Sequence, residues 1–116
     1  MAHPVVHFEI GCRDTPATAA FYSEMFGWQT KPSGPATTIL SEKGGIGGHF
    51  VSLGHEPFHY VTIYVQVDDV AAALAKAASL GGKTVVPLME IPDGIFAWFA
   101  DPDGNTIGLW KPKASA

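Results

Sequence analysis

The chain has 116 residues, 47% hydrophobic and 16% charged, with a formal net charge of −4. That is one domain's length with enough apolar content for a core; the charges are too few for a disordered chain, and no basic run favours nucleic acid or an anionic membrane as partner. The single cysteine, Cys12, excludes an intrachain disulfide framework, fits a reducing cytoplasm and reads as a structural thiol.

The opening MAHPVVHFEI (1–10) lacks the basic start and apolar run of a signal peptide, and no apolar stretch in the chain is long enough for a membrane span. Within it, VVHFEI alternates as a strand does, placing Val6, Phe8 and Ile10 on one face and His7 and Glu9 on the other. His3 is expected to fray with the terminus. CRDTPATAAFYSEMFGW (12–28) follows as a helix, capped by Asp14 or Thr15 with Pro16 in its first turn. Phe21/Met25 and Tyr22/Phe26 form a broad apolar stripe, and Gly27 is the stop. Strand candidates follow at about 28–32, TTILSE and GGHFVSL. The glycines of EKGGIGGHF resemble a phosphate loop, but neither a G-K-[ST] nor a helix follows, so they read as a turn entering a strand.

GHEPFHY (54–60) contains H-E-x-x-H, a zinc-protease spacing. That motif works only on a helix, where two His four apart share a face. Here Pro57 interrupts it and YVTIYVQV, a strand, follows directly, so His55 and His59 are expected in an exposed connector. In that strand Val61, Ile63, Val65 and Val67 share the face expected to pack on a helix, and Thr62, Tyr64 and Gln66 share the other. Asp68 or Asp69 caps a second helix, VAAALAKAASLGG (70–82), with Val70, Leu74 and Ala77/Ala78 on one face; KTVVPL, IFAWFA and TIGLW complete the strands. His7 and Thr62, Asp14 and Asp69, and Gly27 and Gly82 all stand 55 residues apart. The chain is therefore an internal repeat: an α+β single domain over 1–116 made of two tandem βαβββ modules, about 3–54 and 58–112. Mixed sheets are expected to form a cup with the helices outside. A ferredoxin-like sheet, the rival, leaves two strands unused.

The non-aliphatic strand faces mix polar groups, aromatics and glycine, as the wall of a small-molecule pocket does; a solvent-washed face is the competing assignment. The expected lining is His7, Glu9, Thr62, Tyr64, Gln66 and Trp110. His49, two residues after Gly47, adds to it, and Gly47, Gly48 and Gly108 are expected to leave room for a ligand. Trp28 reads as core.

The repeat, the His in the first strand, FYSEMFGW, VDDVAAALAKAASLGGK and ADPDGNTIGLW together resemble the vicinal oxygen chelate superfamily, also called the glyoxalase/bleomycin-resistance/extradiol-dioxygenase superfamily. The resemblance spans nearly the whole chain and is nearest to small glyoxalase-like proteins. DPDGN reads as a turn between antiparallel strands; as a calcium loop it fails, since Pro112 stands where the twelfth-position Glu belongs. The resemblance implies a divalent metal held by a His in the first strand, a His in the matching strand of the second module and a Glu on a closing strand. Carried over, these positions are His7, Thr62 and Gly108. One ligand of three is retained, and Thr and Gly are not zinc ligands. A His7–Glu9–His49 set is a conceivable substitute. The resulting expectation is a cytoplasmic homodimer that binds a small, partly apolar organic molecule with no metal or cofactor, as bleomycin-resistance proteins sequester theirs. The alternatives are an enzyme of the same superfamily, metal-dependent or using Glu9 or His7 for acid/base chemistry, and a non-catalytic dimerisation domain. No catalytic residue is assigned.

Overall fold

The computed structural model describes residues 2–52 and 59–114; of the H-E-x-x-H connector only His59, which is exposed, falls among them. His55 lies outside the described residues. The elements run β1 (Val5–Gly11), α1 (Thr15–Phe26), β2 (Thr30–Ser33), β3 (Ala36–Ile39), β4 (Gly47–Val51), β5 (Tyr60–Gln66), α2 (Val70–Ser79), β6 (Lys83–Ile91), β7 (Gly94–Ala100) and β8 (Thr106–Pro112). This is β-α-β-β-β twice, and it leaves no place for the ferredoxin-like order. The chain divides into two compact units, 7–62 and 1–6 with 63–116.

The two helices start in the same way. Asp14 Oδ1 accepts from the Ala17 N–H and Asp69 Oδ1 from the Ala72 N–H, each at 3.0 Å, satisfying a donor left unpaired in the first turn. Gly27 ends α1 in the left-handed region (φ 70°), which glycine enters without the usual Cβ penalty.

In unit 7–62, β1 pairs parallel with β4, and β3 pairs antiparallel with both β4 and β2. Phe50 of β4 is fully buried. It packs with Ala19 of α1 and Ile39, surrounded by Phe8, Ile10, Tyr22 and Trp28. Tyr22 stacks between Trp28 and Phe50, with ring centroids 5.3 and 5.4 Å away. The expected apolar stripe of α1 is only partly used. Ala19 and Tyr22 face the sheet, whereas Phe21, Met25 and Phe26 are more than half exposed.

In the other unit β5 pairs parallel with β8, β8 antiparallel with β7, and β7 antiparallel with the edge strand β6. Val67, Val70, Ala97 and Leu109 form its core, with Val65, Ala73, Leu74, Ile95 and Phe99 against it. Helix α2 thus packs on the C-terminal part of the Val61–Val67 face. Val61, expected to share that burial, is instead 70% exposed.

Candidate functional site

Alternation in β1 sends Phe8 and Ile10 toward α1, so His7 and Glu9 take the opposite face. The parallel register sets Glu9 beside His49 and His7 beside Gly47. Three polar side chains of unit 7–62 therefore meet on one face. His7 Nε2 lies 2.7 Å from His49 Nδ1, and His49 Nε2 lies 3.0 Å from Glu9 Oε1. The other Glu9 oxygen, Oε2, accepts a hydrogen bond from the Tyr60 hydroxyl. The result is a continuous string: His7, His49, Glu9, Tyr60.

Glu9 is 4% exposed, and a buried carboxylate is tolerated when both oxygens are bonded, as here. Burial lowers the pKa of His7 from 6.5 to about 4; the neighbouring His49 adds to this and Glu9 opposes it. Burial raises the Tyr60 pKa, and the hydrogen bond to Glu9 and its negative charge raise it further. Tyr60 is the member that the sequence analysis misses. It sits two residues before Thr62, so extending the Thr62–Tyr64–Gln66 face by one step would have included it. Its ring lies where a Cβ on Gly11 would be.

The remaining expected residues are placed as follows. Thr62, in the same unit, is buried at 3% exposure. In the other unit Tyr64 is buried and its hydroxyl accepts from the Trp98 indole N–H at 2.8 Å. Gly108 is the register partner of Tyr64, and the Tyr64 ring occupies the position of a Gly108 Cβ. Gln66 and Trp110, also register partners, are half-buried. The space expected at the glycines is filled. A Cβ at Gly48 would lie 2.6 Å from the Phe8 carbonyl oxygen and one at Gly47 3.1 Å from that of Ile39, so these glycines permit close packing rather than a vacancy. Asp101 of DPDGN accepts from the Asp103 and Asn105 N–H groups and from the Asn105 amide, each at 2.9 Å, as a turn-forming Asp does. An apolar groove of about 580 Å³ lies between α2 and its sheet, with Val65, Val67, Phe99 and Leu109 on its wall. Val65 and Val67 alternate with Tyr64 along β5, so within this unit the groove and the Tyr64–Trp98 pair lie on opposite faces of the sheet.

The divalent metal implied by the resemblance does not fit these donors. His49 meets Glu9 and His7 through opposite ring nitrogens, so it separates them rather than converging with them on one point. Gly108 offers no donor, and the adjoining space holds the Tyr64 ring. Among the described residues no three His, Cys, Asp or Glu side chains are arranged to hold a metal ion.

Comparison with known proteins gives a consistent picture. Residues 6–110 match the family described as Glyoxalase-like domain. The chain is 27% identical over 124 residues to the anthracycline biosynthesis protein DnrV of Streptomyces peucetius, covering 90% of this chain and 45% of that protein. It is also 27% identical over 121 residues to a glyoxylase-like domain-containing protein of Didymella fabae, covering 90% and 94%. The chain thus spans about half the length of the Streptomyces relative, at 45%. Among solved structures, methylmalonyl-CoA epimerase from Mycobacterium tuberculosis is similar at a TM-score of 0.71 and 12% identity, over 95% of this chain and 88% of that one. A glyoxalase/bleomycin resistance protein/dioxygenase superfamily member from Vibrio splendidus is similar at 0.64 and 17% identity, over 95% and 99%. At such identities the structural likeness is one of fold.

Proposed function

This chain belongs to the glyoxalase-like domain family, and on that premise we propose that it binds a small, partly apolar organic molecule on the face carrying His7, His49, Glu9 and Tyr60, without a catalytic metal. The observation that carries this reading is the hydrogen-bonded string itself. Polar groups buried on a sheet face and held by one another are the fixed recognition points that small-molecule sites use. They also take up the donors that a metal site would need. The Streptomyces relative, named for anthracycline biosynthesis, supports a small organic ligand over a macromolecular one, as does the net charge of −4.

A second reading is acid/base catalysis on the same face. A buried carboxylate linked to two imidazoles is the equipment of proton transfer, and this favours Glu9 and His7 as its groups. The protein is further proposed to act as a homodimer in the cytoplasm. Exposed Phe21, Met25 and Phe26 on α1, with Val85, Leu88, Met89 and Ile91 on the edge strand β6, support a second copy as partner. No helix among the described residues is long and apolar enough to cross a membrane.

Mass spectrometry of the protein denatured after native purification, followed by a thermal-shift screen, tests the binding reading. A retained or screened organic molecule should bind the parent, and Glu9→Gln should weaken that binding at least tenfold while leaving the fold intact. Binding unaffected by Glu9→Gln would remove this face from consideration.

A further inference from the structure

We propose that the groove between α2 and its sheet is a second ligand site, which takes a small organic cation: an apolar ring system seated in the groove, with its ammonium group beside the carboxylates that border it. The lining lies wholly in unit 1–6 and 63–116, whereas His7, His49, Glu9 and Tyr60 belong to the other unit, and the proposal does not depend on the reading of their face.

The groove follows from the sizes of the facing residues. β5, β8 and β7 are neighbours in the sheet, and Val65, Val67, Leu109 and Phe99 bring branched and aromatic side chains to one wall. Helix α2 meets the core of this unit through Val70 and Leu74. Residues three and four apart share a helix face, so Ala73 and Ala77 stand in line with them but offer only methyl groups. The groove beside these alanines measures about 580 Å³, within the roughly 300–1,000 Å³ of small-molecule sites. Leu80, the C-cap of α2, also lines it and is 69% exposed. An apolar body in the groove removes from water what the fold leaves uncovered on Val65, Phe99 and Leu80.

The charges on the same lining select the sign of the ligand. Asp68 and Asp69 border the groove where α2 begins. Asp101 borders it where the helix ends, beside Pro102, whose ring is 3.6 Å from the position of a Cβ on Gly81. Hydrogen bonds from Asn105 hold the Asp101 carboxyl below its ordinary pKa of 3.8, so it is ionised at neutral pH. Asp69 caps the helix through Oδ1 and offsets the positive end of the helix dipole, which leaves Asp68 and Asp101 to set the potential of the groove. Against these carboxylates Lys76 is the one permanent cation among the described residues of the lining. An ammonium group at this border is attracted and stays in water, so it avoids the cost of desolvation. A neutral molecule of the same shape gains only the apolar part, and an anion is repelled.

The test titrates the unmodified protein at pH 8 with 2-naphthylmethylammonium, 2-naphthylmethanol and 2-naphthoate, which share one apolar body. NMR of labelled valine and leucine methyl groups reads both the location and the affinity. The expected shifts centre on Val65, Val67 and Leu109. The ammonium should bind about fivefold more tightly than the alcohol, the scale of one or two exposed ion pairs, and the naphthoate most weakly; at about 1 M salt the three should converge. Ala77→Leu keeps a good helix former and fills the groove, and should weaken ammonium binding at least tenfold. Shifts centred on other methyl groups, equal binding of the three probes at low salt, no binding at millimolar concentration, or unchanged binding by a folded Ala77→Leu protein overturns the proposal. So does a shift of the same methyl groups with protein concentration alone, which assigns the groove to a second copy of the chain. Should Ala77→Leu fail to fold, the methyl mapping of the parent decides. None of these outcomes bears on the His7 face, whose test is Glu9→Gln.

Discussion

Acidification from pH 7 to pH 4 is expected to destabilise the protein through His7, and His7→Gln should remove that part of the pH profile. In the unfolded chain an imidazole takes its proton near 6.5, whereas in the folded protein burial delays this to about 4. Between those values the unfolded state binds more protons, so stability is complete above pH 6.5, declines through the window and levels off near pH 4. The full displacement corresponds to about 3.4 kcal/mol, at roughly 1.36 kcal/mol for each pH unit. His7 is only half-buried, and solvent screening reduces the expected loss to about 1–2 kcal/mol. Urea unfolding of the parent and His7→Gln at a series of pH values measures it, because carboxylates common to both proteins cancel in the difference. Gln keeps an N–H donor for His49, so the variant should fold. Parallel stability profiles for the two proteins, or an NMR titration midpoint for His7 near 6.5, would refute the reasoning.

Tyr60→Phe leaves Oε2 of a carboxylate that is 4% exposed without its hydroxyl partner, and should cost about 1–3 kcal/mol in denaturant unfolding. Gly108→Ala drives a methyl group into the Tyr64 ring and should cost a similar amount, roughly 1–3 kcal/mol; Tyr64→Ala in the same protein should recover part of it. Chelator should leave the melting temperature unchanged, and elemental analysis giving one transition metal per chain would contradict the donor geometry at His49. Sedimentation at micromolar concentration should give a dimer.

The fold was legible because its punctuation repeats. Asp14 and Asp69 cap, and Gly27 and Gly82 follow the helices, at one spacing, and only a doubled module places them so. Strand alternation likewise put His7 with Glu9, and Thr62 with Tyr64. It did not reveal that His49 lies between His7 and Glu9, since that depends on the register between β1 and β4, strands separated by a helix and a hairpin. Nor did it reveal the side-chain rotamers. Gly108 reads as open space because it lacks a side chain, yet a glycine equally permits a neighbouring ring to lie against the backbone, as Tyr64 does. The burial of α1 was overstated for a related reason: Phe21, Met25 and Phe26 satisfy helical periodicity, but one sheet covers only one sector of a helix.

The parallel pairing of the first and last strands in each module also bears on how the chain emerges from the ribosome. His7 pairs with Gly47, 40 residues later, and Tyr64 with Gly108, 44 residues later. At about 5–20 residues per second, β1 must wait roughly 2–8 s for its partner to be synthesised. The β1–β4 pairing is thus open to the chain only after α1, β2 and β3 have been made, and Ala19 and Tyr22 of α1, which share a cluster with Phe8 and Ile10 in the folded unit, are available to them first.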